Sequence, residues 1–484
     1  MKLLRSAAIR RIESLHLPHT PLMEHAGLAA ADFAAESCKS GTILVVAGSG
    51  NNGGDAYVCA RHLKARGRDV IVASFAATKS LPADAESARS AWLAGGGKIL
   101  DTFPAQSAFT FAIDGLFGIG LSRPIEGIAA EWIAKLNALP CPILALDVPS
   151  GLDADTGRVM GTCVKAAYTM TFLAAKPGLF TLAGRDHAGT VLTASLDIDT
   201  AAERDGTLIS RADFSIRPRQ HDSHKGTHGN AALIGGATGM AGAIVLSGRA
   251  ALHLGAGRVY VGMLERLSVD LQQPELMLRE VDDVIALATA IGIGPGLGSN
   301  DSNNDASLTA LKLALAADKP LVIDADALNL ISSHPALAEV VYTRTAPTLL
   351  TPHPTEAARL LDCSTTEIQK DRIAATQTLA RRFNASVVLK GSGSIVATPT
   401  GEWFINPTGN GGLATAGSGD VLLGMIVALL AQGMDTKSAL LAAVYLHGAA
   451  ADALVAEGIG PIGLTAGEII PAARKILNEW ALVQ

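Results

Sequence analysis

Ile43–Ala65 reads ILVVAGSGNNGGDAYVCARHLKA. Ile43–Ala47 is a short β-branched run of the kind that forms a buried strand. GSGNNGGD follows at once, and helical spacing resumes at Ala56–Ala65. Strand, glycine-rich loop and helix in that order make a nucleotide-type binding element. The motif is not GxGxxG, and a tight strand-to-helix turn without a ligand has the same outline. Asn51, Asn52 and Asp55 crowd three amide or carboxylate side chains into one turn, more than a turn requires.

Working outward, the alternation continues. Val70–Phe75, Phe111–Asp114, Ile143–Asp147, Thr169–Leu173 and Thr190–Leu196 read as strands; Asp84–Ala94 and Ala129–Leu139 read as helices. This pattern predicts an α/β fold with a mostly parallel, doubly wound sheet. Ligands of such sheets bind beyond the carboxyl ends of the strands. Three of those ends carry NNGGD, DGLFGIG and DVPSG. A single Asp at a strand end is commonly a turn former, but three polar ends on one sheet edge point to a shared pocket. Asn52, Asp114 and Ser150 offer hard oxygen ligands, suited to a monovalent or hard divalent cation and not to zinc.

At 484 residues the chain has room for several domains. Hydrophobic residues make up 49%, aromatics only 4%, and glycine numbers 50, a composition suited to close helix–sheet packing. A net charge of −6 with no basic block leaves no electrostatic footprint for nucleic acid. The five cysteines are scattered without a CxxC pair, which indicates neither a zinc site nor a disulfide framework and fits a reducing, cytoplasmic setting. The basic start, MKLLRSAAIRRIESL, reads as an amphipathic helix and not as a secretory signal. No 18 apolar residues run together, so no membrane span is expected.

Asp197–Gly229 carries no sustained periodicity, and we place a domain boundary near residue 207, giving domains 1–207 and 208–484. HDSHKGTHGN (His221–Asn230) has three histidines but no common zinc spacing; it reads as linker or as a polar phosphate-facing loop. Alternation then resumes, with polar signals again after strands: GGATGMAGA, GPGLG, DADALN, PHPTEAARL and KGSGS. Each has a bland reading as a turn, a cap or a solvated charge. No P-loop is present.

These signals converge on Asn406–Gly424, NPTGNGGLATAGSGDVLLG. Small residues leave backbone N–H groups uncovered, and a helix beginning near Asp420 aims its positive end at whatever binds there. A phosphate is the natural guest. Asp420 is either a helix cap or a base that takes the proton of a hydroxyl attacking a phosphoryl group.

NNGGD, DGLFGIGLSR and DVPSGLD resemble the motifs of the NAD(P)H-hydrate epimerase family over about the first 200 residues. The resemblance implies that Asn51, Asn52, Gly53, Gly54 and Asp55, the loop Gly118, Ile119, Gly120, Leu121, Ser122, Arg123 and Pro124, and Asp147 bind a hydrated nicotinamide nucleotide. It implies that Asn52, Asp114 and Ser150 hold potassium. Asp147 is the acid–base candidate. Ser49 and Ala56 depart from the family's usual Asn and Gly.

KGTHGN, GATGMAGA, GPGLG, DADALN, TPHPTE, KGSGS and TGNGGLATAGSGDVL resemble the ADP-dependent NAD(P)H-hydrate dehydratase family, which has a ribokinase-like fold. The resemblance covers nearly all of residues 208–484. It implies that Ala243, Gly296, His353 and Asp420 meet the hydrated substrate, that Lys390, Gly391, Ser392, Gly393, Ser394 and Gly419 hold the adenine nucleotide, and that Asp420 is catalytic. Thr355, Leu413 and Ser394 stand where Gly, Met and Thr are usual. The expected fold is thus a Rossmann-like domain followed by a ribokinase-like one. Potassium, magnesium and ADP as co-substrate are the expected cofactors. The expected partners are the hydrated NADH or NADPH, ADP and further copies of the chain in a homo-oligomer, with no nucleic acid and no membrane. Two alternatives stay open at this point: a second domain that phosphorylates a small hydroxymethyl compound, and a first domain that binds a dinucleotide without catalysis.

Overall fold

The structure is a computed structural model. It describes residues 1–484 apart from 18, 106–108, 204, 266, 299–303 and 483–484. The chain forms two compact units, Met1–Thr207 and Leu208–Gln484.

The first unit is built on seven strands: β1 (Thr42–Ala47), β2 (Asp69–Ala73), β3 (Ile99–Leu100), β4 (Phe109–Gly115), β5 (Ile143–Leu146), β6 (Tyr168–Phe172) and β7 (Thr190–Ala194). Their order across the sheet is β3-β2-β1-β4-β5-β6-β7, and every pairing is parallel. Strand order reverses at β1, between β2 and β4. Ile43, Leu44, Val45 and Val46 are fully buried, because parallel strands are covered by helices on both faces.

Gly48 and Gly53, after β1, are set by contact and not by turn geometry. A Cβ on Gly48 would sit 1.9 Å from the Leu116 carbonyl oxygen, and one on Gly53 would sit 2.2 Å from the Gly48 oxygen. The helix begins at Asn51, not near Ala56, and runs to Ala65. NNGGD is therefore its first turn and not a loop. Glycine inside a helix costs roughly 0.5–1 kcal/mol relative to alanine, and here the backbones could not approach with anything larger. Leu22–Ser37, a second helix that periodicity did not reveal, packs against it: a Cβ on Gly27 would lie 2.5 Å from Val58 Cβ.

The second unit contains β8 (Asn230–Gly235), β9 (Arg258–Met263), β10 (Met277–Arg279), β11 (Ala290–Ile293), β12 (Leu321–Ile323), β13 (Thr348–Leu350), β14 (Ser386–Leu389), β15 (Ile395–Ala397) and β16 (Trp403–Ile405). These lie in the order β16-β15-β14-β13-β12-β11-β8-β9-β10. All pair in parallel except β14 with β15 and β15 with β16. The order reverses at β8, between β9 and β11. Helices Ala241–His253 and Ser418–Ala431 cross where a Cβ on Gly424 would lie 2.1 Å from the Ser247 carbonyl oxygen. Ser247 Oγ in turn donates to the Asp420 carbonyl at 2.8 Å. Helix Thr436–Ala456 is long and apolar enough to cross a membrane by composition, yet 67% of its apolar window is buried within the protein. It is a core helix, with Leu440, Leu441 and Leu446 at most 1% exposed.

Candidate functional site

In the first unit the polar side chains gather around the switch point. Asn52 sits in the first turn of its helix and is 7% exposed. Neither of its side-chain amide atoms has a hydrogen-bond partner among the described residues. A buried orphan amide costs about 1–3 kcal/mol unless something satisfies it. Asp114, near the end of β4, is fully buried. It accepts from Ser150 Oγ at 2.6 Å, the Ser150 N–H at 2.8 Å and the Leu116 N–H at 3.2 Å. Burial pushes its carboxyl up to about 6, against those three donors. None of them is a cation. A buried carboxyl, a serine hydroxyl and an orphaned amide oxygen make a donor set that fits a hard monovalent ion.

Asp147 follows β5 with φ of +65°, in the left-handed region that few residues other than glycine adopt. Its N–H donates to the Met170 carbonyl at 2.7 Å. One carboxylate oxygen accepts from Lys176 Nζ at 2.5 Å, the other from the Ile119 N–H at 3.3 Å. A Cβ on Gly118 would lie 3.2 Å from that second oxygen and 3.4 Å from the Asn52 amide carbon, so Asn52, Gly118 and Asp147 converge. The Lys176 side chain is completely buried and also donates to the Phe172 carbonyl at 2.7 Å. Burial first, then the Asp147 charge, hold the Asp55 carboxyl well above its ordinary range. Asn51, Gly120, Ser122, Arg123 and Pro124 are exposed, while Gly53 and Gly54 are buried in the helix. Lys176 was not among the expected site residues. Its signal is a lone charge in the apolar run Phe172–Leu179, FLAAKPGL.

In the second unit Asp420 is not the helix cap. The cap position is Gly417, with φ of +86°, and Asp420 is the third residue of the helix with no capping role. The first N–H groups of a helix have no intrahelical acceptor, so the turn Gly417–Asp420 presents donors of the kind an anion accepts from. Lys390 lies beside it. Its Nζ lies 2.7 Å from Asp324 Oδ1 and 3.9 Å from Glu356 Oε2, and a Cβ on Gly419 would lie 3.3 Å from it. It is no solvated lysine. Burial opposes its charge, but Asp324, Glu356 and Asp420 outweigh burial and raise its pKa. Burial, reinforced by the Asp324 charge, pushes Asp420 up to about 6, with Lys390 acting against the shift.

His353 and Glu356 form a capping box on helix Pro354–Leu361: His353 Nδ1 accepts from the Thr355 and Glu356 N–H groups, and Glu356 accepts from the His353 N–H at 2.7 Å. Glu356 thus opens this helix, while its Oε2 also faces Lys390 at 3.9 Å. Burial raises its carboxyl, with Lys390 opposing. Ala243 lies in the first turn of helix Ala241–His253. Gly296, φ +57°, packs where a Cβ would meet the Met240 oxygen at 2.5 Å. Gly391, Ser392, Gly393 and Ser394 make the turn between β14 and β15, next to the lysine. Asp324, 1% exposed, belongs to DADALN but had no role in the sequence reading. The histidines of His221–Asn230 hold no metal cluster among the described residues; His224 Nδ1 accepts from the Gly226 N–H. A groove of about 1190 Å³ lies around Arg219 and Gln432 and is lined by none of these carboxylates.

A family model described as NAD(P)H-hydrate dehydratase matches residues 231–472, and one described as YjeF-related protein N-terminus matches residues 19–178. A bifunctional NAD(P)H-hydrate repair enzyme of Leishmania braziliensis is 40% identical over 98% of this chain and 92% of its own. Its counterpart in Escherichia coli (strain K12) is 39% identical, over 90% and 85%. The chain belongs to the bifunctional NAD(P)H-hydrate repair enzymes. The repair enzymes' two-part build matches its two units, the first Rossmann-like and the second ribokinase-like. An ADP/ATP-dependent NAD(P)H-hydrate dehydratase from Bacillus subtilis, co-crystallised with ATP/Mg2+, is 33% identical, with a TM-score of 0.48; the match covers 56% of this chain and 95% of that one.

Proposed function

We propose that this chain repairs hydrated nicotinamide nucleotides. Its first unit interconverts the R and S epimers of NAD(P)H hydrate, and its second dehydrates the S epimer with ADP, giving AMP and phosphate. The observation that carries this reading is the third-residue placement of Asp420. It is a carboxylate beside a phosphate cradle that caps nothing, an arrangement expensive through repulsion unless the carboxylate serves as a base.

Hydroxide is a poor leaving group. Asp420 takes the proton of the ring hydroxyl, and that oxygen attacks the β-phosphorus of ADP. The bond from the β-phosphorus to the bridging oxygen breaks and AMP departs. N–H groups at the helix start and Lys390 bear the developing charge. The ring nitrogen's electron pair then expels phosphate, and loss of a proton from the adjacent carbon restores the double bond. Magnesium accompanies the nucleotide phosphates, as it commonly does where no all-protein cage exists; the described residues contain no cluster of three metal-ligating side chains.

In the first unit the carbon that epimerises carries a hydroxyl next to the ring nitrogen. Asp147, held by Lys176, gives a proton to that hydroxyl as its C–O bond breaks and water departs, the ring nitrogen's electron pair sharing the positive charge, and takes a proton back as water adds to the other face and a new C–O bond forms. Asn52, Asp114 and Ser150 would hold potassium, which would supply a fixed positive charge; the orphaned Asn52 amide supports this assignment. The same reading keeps the chain in a reducing compartment, in line with its five free thiols. It also assigns a homo-oligomeric state, which sedimentation tests.

The deciding assay mixes both hydrate epimers with the enzyme, ADP and magnesium, and follows reduced-nicotinamide absorbance. Recovery of both epimers is expected. Recovery of half the material removes the first activity, and a stable phosphorylated product turns the second unit into a kinase.

A further inference from the structure

Asp324 occupies a position whose ordinary use it declines. It is the cap residue of helix Ala325–Ser333, and Asp is a favoured cap, yet its side chain makes no capping hydrogen bond. The carboxylate turns instead to Lys390, 2.7 Å from Nζ. The backbone around it is forced. Ala325 has φ of +49°, a costly conformation for alanine, and a Cβ on Gly294 would lie 1.8 Å from the Asp324 carbonyl oxygen. Strained backbone and an abandoned cap both serve to put one buried carboxylate beside the lysine. A Cβ on Gly419 would come within 3.8 Å of Asp324 Oδ2 as well as 3.3 Å of Lys390 Nζ, so the pair rests against the start of the helix that carries Asp420.

We propose that Asp324 is a positioning residue for dehydration: it fixes Lys390 Nζ at the start of the helix that carries Asp420. The inference rests on the repair reading given above. Lysine has four rotatable side-chain bonds and loses reach and charge placement when unanchored. Glu356, at 3.9 Å, is too distant to hold it alone. The charged and titratable groups facing this corner are Asp324 and Asp326 from the segment after β12, Lys390 after β14, His353, Glu356 and Arg359 from helix Pro354–Leu361, and His447, whose Nε2 lies 3.4 Å from Ser418 Oγ. Of these, Asp324 raises the Asp420 carboxyl most after burial itself. Removing its charge lowers that pKa, and the lysine released from Asp324 pulls it the same way.

The test compares the full-length chain with Asp324→Asn and Asp324→Glu. Asn keeps the shape and is itself a good cap, so the helix survives. For Asp324→Asn we expect kcat of dehydration to fall about tenfold or more, with a smaller rise in KM for ADP, and the acidic limb of kcat/KM to move to lower pH. Asp324→Glu keeps the charge and recovers part of the rate and the original limb, although it overfills a site with 1% exposure. Wild-type kcat with an unmoved limb in Asp324→Asn overturns the inference. So does a loss of rate with an unmoved limb, or a Glu variant worse than the Asn variant, since either result means Asp324 only fills space. A wild-type chain without ADP-dependent recovery of reduced dinucleotide sinks the repair reading itself, and an active wild type with an indifferent Asp324 sinks this inference alone.

Discussion

The two units solve one packing problem alike and two chemical problems differently. In each, strand order reverses at a central strand, and a glycine at its end or just past it touches the loop beyond a neighbouring strand. A Cβ on Gly48 would meet the Leu116 oxygen at 1.9 Å, and one on Gly235 the Pro295 oxygen at 2.1 Å. The reversal of strand order opens the crevice where doubly wound sheets bind ligands. What is set into it is opposite in sign. In the first unit a carboxylate, Asp147, is the group held, gripped by one buried lysine and a backbone N–H. In the second a lysine, Lys390, is the group held, gripped by buried carboxylates beside a helix N-terminus. The fold provides the place and the side chains provide the chemistry.

The sharpest way to break this comparison is Asp420→Asn. Dehydration should fall on the order of 10²-fold or more, within the usual loss for a general base, while the epimer ratio still relaxes at the normal rate. Since Asp420 caps nothing and burial disfavours its charge, the thermal midpoint should stay level or rise slightly. Near-normal dehydration would leave Asp420 without a chemical role; parallel loss of both activities would mean that the two units do not act separately.

Lys390→Ala comes next. A charge-assisted contact is worth about 1.5–3 kcal/mol, so ADP affinity measured by calorimetry should drop roughly ten- to a hundredfold with the fold intact. Unchanged affinity removes Lys390 from the nucleotide's surroundings.

Acidification has a smaller effect. Asp420 works as the carboxylate and its pKa is raised to about 6, so activity is full above that value and is lost as pH falls through it. Dehydration kcat/KM at pH 5 should be about a tenth of its plateau. A profile flat down to pH 4.5 contradicts the assignment.

The smallest effect belongs to the first unit's ion. Replacing potassium by a bulky organic cation should slow epimerisation a few-fold, leave dehydration of the pure S epimer unchanged, and be indifferent to zinc chelators. Equal epimerisation rates without potassium would remove the ion and leave the orphaned Asn52 amide to water.

Much of this molecule is legible in one dimension. β-branched runs and the glycine-rich ends that follow them announce parallel strands and the edge where ligands bind, because burial on both faces makes such strands continuously apolar. Asn52, Asp114, Asp147 and Lys390 stand out as polar residues at those ends, and Asp420 as the carboxylate in the glycine-rich run before a helix. Residue order could not say where the helices begin. NNGGD looked like a loop since glycine is a poor helix former, and only the contact of Gly53 with Gly48 explains why it starts one. The short antiparallel strands Ile395–Ala397 and Trp403–Ile405 lacked the length to show a period. Nor could it find the partners. Lys176 lies 29 residues from Asp147, and Asp324 lies 66 from Lys390. An ion pair across such spans leaves no local pattern, because both residues answer to a neighbouring strand and not to their own neighbours in the chain. Composition and spacing determined two α/β units and the edges that carry their sites. Tertiary structure decided which charges meet there, and that Gly417 and not Asp420 takes the cap position.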